Sequence, residues 1–190
     1  MLSNSINKQM EEDICLVERY IAGDAEAIEE LVMKYQKHIY AVAYRITGDV
    51  EDARDVTQTA FVKAVEGIRG FRRESSFKTW LYRIAINTSL NHVRRGRFQE
   101  GELEESIVGN QVGALSAIIG NEKRGLVRRG LDELPERQRL AVILRAYEGL
   151  SCAETAQVMS CSEGAVKAHY HNAVKRLRQI LRERGYEVRA

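Results

Sequence analysis

The chain has 190 residues, with 29 Lys and Arg against 27 Asp and Glu, a single Pro, three Cys and 44% hydrophobic side chains. That length holds one domain or two small ones. Abundant Ala, Leu, Glu, Arg and Lys favour helix and exclude a β-sandwich, which needs evenly spaced turn signals. Cys15, Cys152 and Cys161 are odd in number and lack CxxC spacing, which argues against a disulfide framework or a zinc site, and no run approaches the roughly 18 apolar residues of a membrane span.

Met1 to Asp13 is polar and acidic and carries no apolar signal core, so a cytoplasmic protein with reduced cysteines and no membrane insertion is expected. From Asp24 to Ile46, Ile28, Leu31, Val32, Tyr35, Ile39, Val42, Ala43 and Ile46 recur at three- and four-residue intervals. This predicts a long amphipathic helix opened by Asp24 as N-cap and ended by Thr47, Gly48 and Asp49. A second helix, about Val50 to Ile68, buries Ala53, Val56, Ala60 and Ala64 with Phe61 and Val65 beside them, and exits at Gly67 and Gly70. Ser75 or Ser76 caps a third helix running to about Arg95.

Residues 98–120 lack a sustained apolar period, hold four glycines and carry four acids and no base, which reads as a flexible acidic linker. Helical period resumes near Glu122. Pro135 suits the first turn of a helix running to Tyr147, and Gly149 ends it. Ser151 with Glu154 matches a capping box before a short helix ending near Met159, and Ser162 caps the last helix, to about Arg184. Two helices joined by the brief Ser160-Cys161 turn have helix-turn-helix form. The expected architecture is all-α: a helical domain over 1–97, a linker over 98–120 and a helix-turn-helix domain over 121–190, with charge balances of +1, −4 and +5.

Two basic elements carry binding chemistry. Between Phe71 and Arg95, Phe71, Phe77, Trp80 and Tyr82 are interleaved with Arg72, Arg73, Lys78, Arg83, Arg94 and Arg95, and Glu74 is the only acid. Aromatic faces receive unstacked bases while cations track phosphates. On the third helix Trp80, Arg83, Asn87, Asn91 and Arg94 form one stripe and Leu81, Ile84, Ala85 and Thr88 another, so amides and cations can face a ligand while the second stripe packs inward. Trp80 is either a core residue or a stacking wedge. The loop before that helix, with Ser75, Ser76 and flanking arginines, can hold a phosphate or an unpaired base.

On the last helix Val166, Tyr170, Ala173, Leu177 and Leu181 form the core-facing line, leaving Lys167, Ala168, His171, Asn172 and Lys175 on the edge a recognition helix offers to the major groove. His169 and His171 diverge on a helix, so no metal is expected there. Asp49, Glu51, Asp52 and Asp55 gather at the start of the second helix, where they complement its dipole or, with Gln58 and Phe61, meet a basic helical partner. Neither paired metal-binding carboxylates nor an activated nucleophile is visible, so no enzyme and no cofactor is expected.

The runs Asp49 to Ala64, Phe71 to Asn87, Leu134 to Gln138 and Tyr147 to Ala156 together resemble the extracytoplasmic-function group of bacterial sigma factors, in order and across nearly all of residues 20–185. The resemblance implies a promoter-specificity subunit of core RNA polymerase. It likens Asp49 to Ala64 to a polymerase-binding helix, Gly70 to Asn87 to a minus-ten melting and recognition element, and Gly164 to Arg178 to a minus-thirty-five reader with Lys167, Ala168, His171 and Asn172 at its contact positions. It further implies an anti-sigma factor as partner, often membrane-borne. The rival reading is a helix-turn-helix regulator that does not bind the polymerase core.

Overall fold

The computed structural model describes residues 2–99, 125 and 127–184, and these form helices and turns with no strand among them. The chain divides into two compact units, Met1–Val108 and Gly109–Ala190. In the first, α1 (Leu2–Ile21), α2 (Glu26–Thr47), α3 (Val50–Gly67) and α4 (Phe77–Gln99) pack together, with a 3-10 turn at Ile68–Gly70.

Helices α2 and α3 follow their apolar period. Leu31, Tyr35, Ile39, Val42, Ala43 and Ile46 of α2 are buried, as are Ala53, Val56, Ala60 and Ala64 of α3. The small residues of α3 let its backbone approach α2 and α4 closely. Gly48 closes α2 in the left-handed region at φ 85°, its N–H returning to the Tyr44 carbonyl, as a glycine after a helix end commonly does. Asp49 then opens α3 by accepting the Glu51 and Asp52 N–H groups at 2.8 and 3.0 Å.

Several local expectations need correction. Helix α1 has no counterpart among them, because its burial centres on Asp13 and Val17 rather than on an apolar stripe. Asp24 is not the N-cap of α2: Ala25 occupies that position, while the Asp24 carboxylate accepts the Glu26 N–H from one residue earlier, at 3.0 Å. Helix α4 continues through Gly96 to Gln99, since a lone glycine costs a helix only about 1 kcal/mol. Residues 98 and 99 therefore belong to it, and the remainder of the expected linker, 100–120, lies outside the described residues.

The second unit contains a helical segment at 127–132 (α5), α6 (Glu136–Val142), α7 (Cys152–Met159) and α8 (Glu163–Glu183). Pro135 is the N-cap of α6, one position before the first turn, and its carbonyl receives Gln138 and Arg139. The helix expected to run evenly to Tyr147 passes into a π turn over Ile143–Tyr147, with Ile143 and Leu144 fully buried. Arg145 donates to the Leu150 carbonyl, holding the chain where it leaves that turn.

The capping box at α7 forms as the spacing predicts: Ser151 Oγ accepts the Glu154 N–H at 3.1 Å and Glu154 accepts the Ser151 N–H at 2.7 Å. Ser160 turns the chain at φ 50° and Ser162 caps α8 through the Ala165 N–H at 3.2 Å. Leu131, Leu134 and Val142 pack on Ala173, with Tyr170 and Leu177 half-buried against them. Ile180 is a further buried position of α8.

Candidate nucleic-acid interface

In the first unit the exposed residues of the loop before α4 lead into the exposed stripe of that helix. Ser76, of the two candidate serines, is the cap: its Oγ accepts the Thr79 N–H at 3.1 Å and lies 2.8 Å from the Thr79 hydroxyl. Ser75 is half-buried and donates to the Ser76 carbonyl at 3.3 Å. Arg83, Asn87, Asn91 and Arg94 are exposed, whereas Leu81 and Ala85 are fully buried and Thr88 nearly so. The helix thus separates a polar face from a packed one.

The aromatic residues split into two roles. Phe77 is only 2% exposed and its ring lies 5.9 Å from that of Tyr35, so it is a core residue and not the exposed base contact the sequence suggested. Tyr82 is buried too, with the Lys78 ammonium 5.8 Å from its ring. Phe71 and Trp80 are half-buried, 5.3 Å apart, and lean on Phe77 at 5.9 and 5.6 Å. A Cβ at Gly67 would sit 3.4 Å from the Trp80 indole, so the ring also covers the end of α3. Two rings are therefore anchored from below and retain solvent-facing surface, the arrangement on which a base can stack.

The cations are arranged unequally. Arg72 is exposed with Glu74 4.0 Å away. Arg73 has φ 60° and places Nη2 2.6 Å from Glu18 of α1. No sequence pattern announces that pairing, which spans 55 positions.

A second surface lies on α2 and α3. Asp49 is engaged in capping, Asp52 Oδ1 lies 3.0 Å from His92 Nε2, and Glu51 pairs with Arg54 at 2.6 Å. Asp55 and Gln58 are exposed, and Phe61 is half-buried. Gln58 and Phe61 border a groove of ≈ 650 Å³ lined also by Val32, Tyr40, Val62 and Val65. The acids are legible in the sequence, whereas the groove is not. Its one signal is Val62, off the buried face of α3 and 50% exposed.

In the second unit Lys167, Ala168, His171, Asn172 and Lys175 are all exposed on α8, opposite the buried Val166 and Ala173. His169 is half-buried. Among the described residues no group of three or more His, Cys, Asp or Glu side chains is placed to hold a metal ion, and no helix is long and apolar enough to cross a membrane.

Comparison with known proteins matches residues 31–99 to Sigma-70 region 2 and residues 124–177 to Sigma-70 region 4. The chain is 39% identical over 191 residues to the RNA polymerase sigma-H factor of Pseudomonas aeruginosa, covering 91% of this chain and 97% of that one. It is 38% identical over 174 residues to the ECF RNA polymerase sigma-E factor of Escherichia coli, covering 85% and 90%. Among solved structures, CnrH in complex with the cytosolic domain of CnrY superposes with TM-score 0.72 at 23% identity, over 90% of this chain and 98% of that one. The sigma factor RpoE of Bartonella quintana, solved with the anti-sigma factor NepR, gives 0.68 at 24%, over 81% and 96%. At those identities the two structures speak for the fold alone.

Proposed function

This chain belongs to the extracytoplasmic-function group of the sigma-70 family and is a factor for transcription initiation; from that premise we propose how its residues divide the work. The first unit traps the minus-ten strand. Phe71 and Trp80 offer stacking surface, Ser75 and the loop backbone offer hydrogen bonds, and Arg83, Asn87 and Asn91 read bases or phosphates along α4. Opening the duplex uses binding energy alone, bases being captured as they unpair, and the chain performs no chemistry of its own.

The acidic start of α3 and the neighbouring apolar groove receive core RNA polymerase. Acids at one edge and Phe61 and Val62 beside them suit a helical partner carrying both basic and apolar side chains. The exposed edge of α8, with Lys167, His171, Asn172 and Lys175, enters the major groove of the upstream element, where Ala168 can meet a thymine methyl. In this scheme the chain works in the cytoplasm, residues 1–99 and 121–190 act as separate modules, and an anti-sigma factor holds the protein inactive by covering these exposed faces.

The observation that carries the reading is the pair of half-buried rings, Phe71 and Trp80, set at the head of a helix whose outer face is amide and cationic. A helix-turn-helix regulator working alone has no use for it. Binding of the polymerase complex to a fork-junction oligonucleotide, compared with intact duplex, tests the proposal. A clear preference for the fork is expected, and equal affinity would favour the regulator. Pull-down from unstressed native cells should recover a small inhibitory protein as well as polymerase, and polymerase alone would count against the inhibitor.

A further inference from the structure

Arg73 and Ser160 are the only non-glycine residues with positive φ among those described. Ser160 sits at the turn between α7 and α8, where the fold accounts for it. Arg73 has no such excuse. A long side chain in the left-handed region is disfavoured by its own Cβ, and a residue held there is commonly held for a purpose.

Its side chain meets Glu18. The Arg73 Nη2 lies 2.6 Å from Glu18 Oε1, and α1, which carries Glu18, packs against both the 3-10 turn and α4 that bracket the loop. That helix is itself fastened to α2: Asp13 accepts from Lys34 at 2.6 Å and from Tyr35, and Arg19 reaches Asp24 at 2.6 Å and Glu30 at 3.1 Å. Glu18 therefore stands on a fixed base. The other acid near Arg73, Glu74, lies 4.0 Å from Arg72.

We propose that Glu18 is a positioning residue for strand capture: by holding Arg73 it fixes the left-handed turn that presents Phe71 and Ser75 to an unpaired base. The inference rests on the reading of this loop as a base trap. Both partners are about half exposed, at 50% and 55%, so the pair contributes little to overall stability. Its effect is on preorganisation, since a loop already in its bound shape loses less conformational freedom on binding.

The full chain should be compared with Glu18→Gln, Arg73→Gln and the double variant, each with core polymerase on a fork-junction oligonucleotide. Glu18→Gln is expected to weaken that binding about threefold, a factor within the range of one exposed ion pair. Thermal stability and affinity for the upstream duplex should not change. The double variant should bind no more weakly than Arg73→Gln alone, because the carboxylate acts only through the arginine. Amide exchange of residues 72–76, measured on the full chain without DNA, should quicken in Glu18→Gln.

Unchanged exchange in that variant overturns the proposal whatever the DNA shows. So do additive effects, or tighter fork binding, which would make Glu18 a mask over a phosphate-binding arginine. Failure of the base-trap reading appears separately, as a wild-type complex that does not prefer the fork.

Discussion

The hydroxyl of Tyr35 and the carboxylate of Asp13 meet at the junction of α1 and α2, both essentially out of solvent, with Lys34 donating to the second carboxylate oxygen at 2.6 Å. A buried acid supplied with two donors is a joint between helices, and its removal strands the donors. Asp13→Ala should cost about 2 kcal/mol, the penalty for leaving a buried polar group unpaired. Urea unfolding of the full chain measures it, and a change within about 0.5 kcal/mol, the scale of an ordinary surface substitution, would show that the joint holds nothing.

The same joint has a pH signature. Burial, reinforced by the Asp13 hydrogen bond, raises the Tyr35 hydroxyl above its ordinary value of 10. A group raised in the folded chain gives up its proton more readily when unfolded, so its contribution is complete below pH 10 and is lost as pH climbs past it. The urea midpoint should therefore fall above about pH 10, the ordinary tyrosine value, and Tyr35→Phe should flatten that fall. Asp24 works at the other end: its hydrogen bond from Arg19 lowers it from 3.8. Its contribution is present above that value and lost as acid takes the solution below it, and salt should weaken the effect because the pair is exposed.

The helix-turn-helix depends on two serine hydroxyls. Ser151→Ala removes one arm of a capping box and Ser162→Ala removes the N-cap of α8. Each should cost about 1 kcal/mol, read as a lower midpoint of the thermal transition followed by helix signal. At Ser160, φ 50° makes glycine the natural replacement. Ser160→Gly should be neutral or slightly stabilising, and Ser160→Val should be destabilising, because a β-branched residue resists that region.

Binding variants should sort by unit. Lys167→Ala should weaken binding to the upstream duplex across all sequences and reduce the salt slope by about one, as loss of a single phosphate contact does. Asn87→Ala should instead lower the preference for one minus-ten base, with duplex binding unchanged. Trp80→Ala should impair strand opening more than closed-complex formation, visible as reduced permanganate reactivity. Equal reactivity would return Trp80 to a purely packing role on Phe71 and Phe77.

Periodicity and caps exposed most of this fold. The buried line of α2 and α3, the capping box at Ser151 and the exposed edge of α8 all arise from residue spacing, because an amphipathic helix writes its burial at intervals of three and four. What escaped has a physical reason in each case. Helix α1 is tied down by a charged residue whose partners lie more than twenty positions away, and no local pattern encodes that. Phe77 shares its neighbourhood with cations, yet it points into the Tyr35 ring; composition near a residue does not give its direction. The Glu18–Arg73 pair and the groove beside Phe61 are likewise products of tertiary packing.

The π turn at Ile143–Tyr147 makes chain length an angular quantity. Its Glu148 N–H reaches back five residues to Ile143, so one more residue is accommodated there than an ordinary helix would hold. Deleting one of the five would restore an ordinary turn that sweeps nearly the same angle with one residue fewer, so Leu140 and Ala141 should keep their face toward the core. Removal of exposed Ala146 should therefore be better tolerated than insertion of a further residue, which would turn the preceding helix by about 100°, a contrast that an insertion and deletion scan of this short stretch would bring out.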